Sequence, residues 1–434
     1  MKSLARLLPI ALLASTSSAG VLTVDDDGGP GVFLSIQDAV LAAAAGDVIL
    51  VEGGSYGPFD VTKRLSILGR STAGDVHVSG ISRVGAVTSI RLAGLRLDAL
   101  ELTGVNGPAV VEDCRIGAVT GFGPTASPDV TGVLLVVDCQ DVLVSRSVLR
   151  GAHGCCGDSP WPSGQFFGAG SAGLRAENSN VVVVDSEVYG GAGEDGCFWN
   201  TGGSGVEVRG GEVLVVGSLL FGGGGGSFQC IGFGDGDPGG DAVWILDGTL
   251  VVRGAGAFES GPFGGPVDRL LGGAAGSTLD PEGYGLRADG TSAVYVSGTV
   301  VSSTLSGGGT ITTLAVPEPF LEVRGEVASG ETLRLDARAP QGELLVLVSS
   351  LALQPFALAG WEGAVWLDPA LLLGVVPLTG LGQGTPVFTI QPLPPGLSAF
   401  AGVELGFQLF APLVPGTQDP GLALAANPVS VLAR

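Results

Sequence analysis

The sequence predicts an all-β protein: a right-handed parallel β-helix (a β-solenoid) with an N-terminal cap helix, followed by a small antiparallel β-sandwich. Three observations predict it. The central region repeats a pair of short alternating strands, a helical segment precedes the first strands, and the strand pattern changes after residues 315–319. A chain of 434 residues has room for two such domains.

Residues 1–19 have the pattern of a cleaved signal peptide. Lys2 and Arg6 form a basic start, residues 7–14 are apolar, and residues 17–19 are small. The apolar stretch is too short to span a membrane. We therefore expect an exported protein, secreted or held at the cell surface, that does not insert into a membrane.

The segment Ser35–Asp47 predicts the cap helix. Its apolar residues have helical spacing, and Gly46 is placed to end it. Val48–Val51 and Leu65–Gly69 read as the first strands. An open solenoid end exposes its core, so a cap is required there.

The repeat defines the solenoid. Each copy contains two short Val-rich strands joined by a turn that holds Gly, Asn or Ser, and a Gly-rich bend follows. Strand periodicity without intervening helices predicts stacked parallel coils with one continuous core. The copies begin at Leu134, Gly173, Gly205, Ala242 and Gly285.

The opening segment resembles a known family. Residues 35–69, SIQDAVLAAAAGDVILVEGGSYGPFDVTKRLSILG, are similar to the start of pectin lyase-like right-handed β-helix proteins, in which this stretch forms the cap helix and first coil. The resemblance implies the fold. It does not imply one chemistry, because that family includes lyases, hydrolases, esterases and proteins without known activity.

The predicted domains are a β-helix over residues 20–314, a linker over 315–319 and a β-sandwich over 320–434. The last region has apolar strands broken by Pro and Gly and lacks the two-strand repeat. Its segments APQGELLVLVSS, GAVWLDP and VELGFQLF resemble the C-terminal module of other bacterial exported repeat proteins.

The charge limits the partners. The net charge is −22, and it becomes −24 without Lys2 and Arg6. An acidic surface repels phosphate backbones, so nucleic acid is not an expected partner. A polysaccharide or a cell-surface protein is expected instead, and the oligomeric state is left open.

One candidate site is a column of outward side chains. Strand alternation places Arg175, Glu207, Trp244 and Arg287 on the outer face of one sheet, in steps of about 4.8 Å. Indole and ionic groups side by side suit a sugar chain. The alternative is a cross-strand charge ladder, Arg175 with Glu207 and Glu177 with Arg209, that only keeps an exposed sheet soluble.

A second candidate is a cluster of loops that precede successive repeat strands. The three insertions carry cysteine and aromatic residues and should stack side by side; Trp161 and Trp199 are candidates to bind the same ligand. We expect disulfides among Cys155, Cys156, Cys197 and Cys230.

Two further cysteines, Cys114 and Cys139, each follow an acidic residue in a V-x-D-C context. Both could lie near one coil, where a disulfide between stacked neighbours is one reading. Two buried thiols are the other.

A third candidate is a calcium site formed by Asp235, Asp237 and Asp241, because alternate aspartates in a Gly-rich loop can supply oxygen ligands. Asp25–Asp27 is a weaker case. Ordinary turn chemistry is the alternative for both, and no cofactor other than calcium is expected.

No catalytic residue is identified. His77 and His153 are the only histidines, and neither has a motif around a serine partner. We therefore favour a non-catalytic protein of the cell surface or extracellular matrix that binds glycan or protein through one solenoid face and its loops. The alternative is a carbohydrate-active enzyme, a polysaccharide lyase or glycoside hydrolase, with its site on the same face.

Overall fold

A computed structural model describes the solenoid at residues 20–70, 75–117, 132–154, 169–193, 201–226, 238–253, 269–275, 282–297, 300–301 and 303–314; beyond 314 it describes the strands. Parallel pairings run from Val21 to Leu314. The chain passes through three parallel sheets in turn, here called A, B and C, so each circuit forms one coil of a β-helix. The parallel solenoid expected from the repeat is therefore present.

Sheet A carries the candidate column. It consists of β4 (Asp60–Val61), the second halves of β6 (Val76–Val84) and β8 (Arg96–Thr103), β11 (Gly132–Val137), the first halves of β14 (Ala172–Val184) and β16 (Val206–Val216), β18 (Val243–Leu246), β21 (Leu286–Asp289) and β24 (Thr304–Gly307).

Sheet B follows sheet A along the chain in each coil. It consists of β1 (Val21–Val24), β2 (Val48–Val51), β5 (Leu65–Gly69), β7 (Ile90–Ala93), β9 (Pro108–Glu112), β12 (Asp141–Ser145), the second halves of β14 and β16, β19 (Thr249–Arg253), β22 (Ala293–Ser297) and β25 (Thr310–Leu314).

Sheet C completes the coil. It consists of β3 (Gly54–Tyr56), the first halves of β6 and β8, β10 (Arg115–Ile116), β13 (Val148–Arg150), β15 (Glu187–Tyr189), β17 (Leu219–Phe221), β20 (Arg269–Leu271) and β23 (Val300–Val301).

The cap helix α1 spans Ile36–Ala42 and is shorter than expected. Its N-cap Ser35 accepts a hydrogen bond from the backbone N–H of Asp38, and one face of the helix is buried. The helix ends before Gly46 because the carboxylate of Asp47 accepts the N–H of Ala44 at 2.7 Å and so holds a turn there.

One core fills the solenoid from Val24 to Val296. Inward side chains of all three sheets form it, mostly Val, Leu and Ile, stacked coil upon coil. Burial of these side chains stabilises the fold by roughly 25 cal/mol per Å² of apolar surface, and it is the main force that holds the coils together.

The corners between sheets need left-handed backbone. At the turn from A to B this position is Asp138, Asn178 or Asp247, and at the turn from B to C it is Asp113, Arg146 or Asp185, all with φ between 47 and 54°. Asn and Asp tolerate this conformation better than other non-Gly residues, so the sequence places them there.

Serine residues follow several of these left-handed positions and stack in a column at the corner from B to C. The backbone N–H of Ser147 donates to Oγ of Ser186, and that of Ser186 donates to Oγ of Ser218, both at 3.1 Å. Each hydroxyl donates to the carbonyl oxygen two residues earlier. The amides and hydroxyls of this column are thereby satisfied, whereas the buried Oγ of Ser145 at the same corner has no hydrogen-bond partner among the described residues.

The described strands of the C-terminal region pair antiparallel, apart from one parallel pairing. Its strands are β26 (Phe320–Arg324), β27 (Leu333–Arg338), β28 (Leu345–Ser350), β29 (Leu353–Phe356), β30 (Trp361–Glu362), β31 (Val365–Leu367), β32 (Leu372–Leu378), β33 (Thr385–Ile390), β34 (Glu404–Ala411) and β35 (Ala423–Leu432). They form sheets ordered β26-β27-β33, β30-β35-β34-β28-β32 and β29-β31, with β30 and β35 parallel. Packing of these sheets as a sandwich stays a prediction, as do the linker and the domain limits.

Candidate functional site

The outer side of sheet A carries one ladder of side chains in register, called here the ladder face. Trp244 stands between Glu207 and Arg287 of the neighbouring coils, and Arg175 precedes Glu207. The register expected for these four residues is therefore present. The whole ladder is Asp60, Arg83, Glu101, Leu135, Arg175, Glu207, Trp244, Arg287 and Leu305.

Trp244 is held between two guanidinium groups. The Cζ atom of Arg209 lies 5.6 Å from the ring centroid, and that of Arg287 lies 5.2 Å from it. The indole Nε1–H donates to Oδ2 of Asp289 at 2.9 Å. The guanidiniums occupy positions over the ring, a cation–π arrangement, so the indole is less open to a flat ligand than an isolated surface Trp would be.

Three ion pairs of this face run along strands, whereas Arg83 pairs across the coils with Glu101 at 3.2 Å. Arg175 Nε donates to Glu177, Arg209 Nε to Glu207 and Arg287 Nε to Asp289, each at 2.7 Å and each two residues apart. The expected cross-strand pairing of Arg175 with Glu207 is not the arrangement found. Side chains two apart on one strand point to the same side, and each Arg folds onto its own strand.

Asp241 links the ladder face to the loop edge. It is buried, Oδ1 accepts the backbone N–H of Tyr284 at 2.8 Å, and Oδ2 lies 3.9 Å from Nη1 of Arg287. Desolvation raises the pKa of Asp241, although the Tyr284 N–H and Arg287 oppose the shift. Its described partners are a backbone amide and an arginine. Asp235 and Asp237 lie outside the described residues, so the calcium site stays a prediction.

Asp25, Asp26 and Asp27 lie close together at the N-terminal end. Asp26 Oδ2 accepts the backbone N–H of Ser55 at 2.8 Å, and Asp25 Oδ1 accepts that of Asp27 at 3.1 Å. The contact of Asp25 with Asp27 is an ordinary turn contact, whereas that of Asp26 with Ser55 joins residues 29 positions apart in the chain. Calcium at this place stays a prediction.

Between sheets C and A the chain leaves and re-enters the solenoid through glycine-rich segments, called here the glycine legs. The outgoing legs are 151–154, 190–193, 222–225 and 272–275, and the returning legs are 170–171, 202–204, 238–241 and 283–285. Outgoing and returning legs alternate in a chain of backbone hydrogen bonds of 2.7–2.9 Å, from Gly283 through Gly273, Gly240, Gly223, Gly203 and Gly191 to Ser171.

Only glycine fits most of these positions. A Cβ on Gly191 would overlap the carbonyl oxygen of Ala152, and one on Gly223 would overlap that of Gly191. Backbone therefore packs directly against backbone without side chains between them. The legs hold the roots of successive loops in a fixed stack, as the repeat predicts for the insertions.

The loops themselves lie outside the described residues. They contain Trp161 and Trp199, together with the four cysteines for which bridges are expected: Cys155, Cys156, Cys197 and Cys230. Their contribution to a site and their disulfides remain predictions.

The possible disulfide between Cys114 and Cys139 is wrong; the reading as two buried thiols is correct. Cys114 lies at the corner from B to C, where its N–H donates to Oγ of Ser147, whereas Cys139 lies at the corner from A to B, where its N–H donates to Oγ of Ser179. The two cysteines therefore lie at different corners of the coil. Burial raises the pKa of the Cys139 thiol.

From β9 to β19 one outer column of sheet B is apolar, a feature that the alternating-strand prediction missed. Its ladder of Val110, Leu143, Val182, Leu214 and Val251 is called here the covered face. Leu143 is 0% exposed and Val182 is 9% exposed although both point away from the core. Runs of adjacent Val residues, such as 181–184, could have revealed this face, because a strand covered on both sides no longer alternates apolar with polar residues.

A buried ion cluster lies at one end of the covered face. The carboxylate of Glu112, whose side chain is 1% exposed, contacts the guanidiniums of Arg91 and Arg146. Burial alone would lower the pKa of Arg146, but Glu112 and Asp113 outweigh it and raise that pKa. The charges of this cluster are thus compensated out of water.

In the part of the chain that the structure describes, the histidine–carboxylate pair lies on a different sheet from the ladder face. His77 Nε2 lies 3.1 Å from Asp98 Oδ1 on sheet C, away from the ladder face. Arg83, Arg175, Arg209 and Arg287 of the ladder face are each paired with a carboxylate. No helix among the described residues is long and apolar enough to cross a membrane.

Comparisons with known proteins give little further information. No family model matches the sequence, and no curated protein matches it significantly. Among solved structures, full-length tailspike protein 2 of Escherichia coli O157:H7 bacteriophage CAB120 is 12% identical, with a TM-score of 0.24, over 85% of this chain and 52% of the tailspike. The chain thus spans about half of the tailspike's length, and a TM-score this low carries no inference about ligand or activity. The pectin lyase-like resemblance stays a prediction.

Proposed function

We propose that this is an exported, non-catalytic β-helix protein of the cell surface or extracellular matrix that binds a neutral polysaccharide along its ladder face. The observation that carries the proposal is the stack of Arg209, Trp244 and Arg287. Two guanidiniums with side-chain exposures of 42 and 39% flank an indole at the edge where the loop roots gather. Such a cluster offers several hydrogen-bond donors beside an aromatic ring.

Charge balance favours a neutral ligand. Arg175, Arg209 and Arg287 are paired with Glu177, Glu207 and Asp289, so donors and acceptors alternate with nearly no net charge. Sugar hydroxyls donate and accept, and they can bridge such alternating groups. A polyanion would instead meet a chain of net charge −22.

The test is binding of the whole mature protein to neutral and acidic polysaccharides, with and without calcium, by calorimetry. We expect neutral polymers to bind and Trp244→Ala to weaken binding about tenfold, because the indole positions the guanidiniums of Arg209 and Arg287 that donate to the sugar. The control is Tyr295→Ala, an exposed aromatic on sheet B, which should leave affinity unchanged. Stronger binding of acidic polymers, or equal loss with both variants, would contradict the proposal.

One observation favours a second candidate, a glycoside hydrolase or lyase with its site on the same face. Asp241, with its raised pKa, is a carboxyl group of the kind that serves as a general acid. The same incubations, followed for reducing ends and unsaturated products, decide between the two. Product from any polymer that disappears with Asp241→Asn would replace the binding function by catalysis.

A further inference from the structure

The covered face requires an occupant. Apolar side chains that point outward over several consecutive coils form a continuous strip, and a soluble protein rarely leaves such a strip open. Leu143 and Val182 are buried, although the core lies on the other side of their strands. The buried Glu112 carboxylate at the end of the strip shows that water is excluded there too.

The C-terminal region is in position to cover it. The last solenoid strand, β25, belongs to sheet B, so the chain leaves the solenoid beside this face. Strand β29 of the C-terminal region has Cα atoms within 8 Å of strand β9 of sheet B. The region therefore folds back from β25 toward β9.

The dimensions agree. The covered face spans four coil steps from β9 to β19, and β25 lies two steps further, so the distance from β9 to β25 is roughly 29 Å at about 4.8 Å per step. A compact unit of the length of residues 320–434 has a radius of gyration of about 13 Å and is about 34 Å across. One such unit can therefore lie along the strip.

We propose that residues 320–434 dock, within the same chain, on the covered face of sheet B and shield its apolar strip from water. The occupant is this segment rather than a second copy, because the burial and the contact between β29 and β9 arise within one chain. The proposal is independent of the ligand of the ladder face. It gives the C-terminal region a role as a lateral cover of the solenoid.

The test compares two outward leucines of one coil in the whole protein. Leu143→Asp places a charge on the covered face, and Leu135→Asp places the same charge on the ladder face. Docking predicts that Leu143→Asp speeds cleavage within residues 315–319 by about tenfold or more, because cleavage follows the population of the released state. It also predicts a larger radius of gyration in small-angle scattering. Leu135→Asp should change neither.

Circular dichroism checks that each variant keeps its strand signal, and Val182→Asp serves as a second variant if Leu143→Asp fails to fold. Unchanged cleavage and scattering in a folded covered-face variant would overturn the proposal. A wild-type protein that is a dimer, and that Leu143→Asp converts to a monomer of unchanged shape, would overturn it in favour of a second copy as the occupant.

Discussion

The ladder face and the covered face belong to the same coils and the same backbone geometry, yet their outward side chains differ in kind. On sheet A the neighbours Arg175 and Glu207 are charged and each is paired within its strand. On sheet B the equivalent neighbours Val182 and Leu214 are apolar. The solenoid fixes which residues point outward, and the side chains decide whether that surface meets water or another part of the protein.

The difference should appear most strongly in the ion pairs of the two faces. Glu112→Gln removes the carboxylate that contacts Arg91 and Arg146 out of water, and we expect it to lower the free energy of unfolding by about 3–5 kcal/mol. The matched change Glu101→Gln breaks an exposed pair with Arg83 and should cost about 0–1 kcal/mol. Urea denaturation measures both. Equal losses would mean that the two faces have the same environment.

Both faces depend on the glycine legs for their register, so a defect there should disturb both. A Cβ on Gly223 overlaps the carbonyl oxygen of Gly191, and we expect Gly223→Ala to cost about 1–3 kcal/mol. The neighbour Gly224 is the control, because its Cβ would lie 3.7 Å from the carbonyl oxygen of Ala274, and a change there should stay within about 0.5 kcal/mol. Thermal unfolding of the two variants, compared with the wild type, measures the difference. A tolerated Gly223→Ala would contradict the close backbone packing.

A single hydrogen bond on the ladder face should contribute less to the free energy of unfolding than the glycine legs do. Trp244→Phe keeps a ring between Arg209 and Arg287 but loses the hydrogen bond from Nε1 to Asp289, which we expect to cost about 1 kcal/mol. Tyr295→Phe on sheet B gives the reference for loss of a polar atom from an exposed ring. A larger loss at Tyr295 than at Trp244, in the same denaturation experiment, would show that the indole bond does not stabilise the face.

The smallest effect is a pH dependence beside the ladder face. Because burial raises the pKa of Asp241 above its ordinary value of 3.8, the folded protein retains this proton to higher pH than the unfolded chain. The resulting stabilisation is complete below 3.8 and is lost as pH rises through the raised pKa. Asp241→Asn should remove this fall in stability, seen as the difference between wild-type and variant unfolding curves over that range. An identical pH profile for the two proteins would rule the contribution out.

Sequence reasoning predicted the ladder of Arg175, Glu207, Trp244 and Arg287 because two rules suffice: strands alternate, and repeats stack. It did not predict which carboxylate each arginine contacts. A long flexible side chain reaches both the next coil and its own strand, and the choice depends on rotamers that sequence does not specify.

Cys114 and Cys139 show a different limit. Both follow an aspartate with positive φ, Asp113 and Asp138, so their sequence contexts look alike. The solenoid uses the same left-handed turn at two corners, and a local pattern cannot tell one corner from the other. Only the register of the strands on either side, which the whole coil determines, separates them.

The glycine legs have a consequence for how this protein can change over time. Since the chain of hydrogen bonds between the legs joins backbone atoms, the legs constrain what stands at Gly191 or Gly223 but not what is inserted between an outgoing and a returning leg. A loop can be lengthened, shortened or exchanged for another while its two ends stay anchored. The molecule thus combines leg positions such as Gly191 and Gly223, where only glycine fits, with loops at one edge whose length and sequence the legs do not restrict, so new ligand contacts can arise without a change of fold.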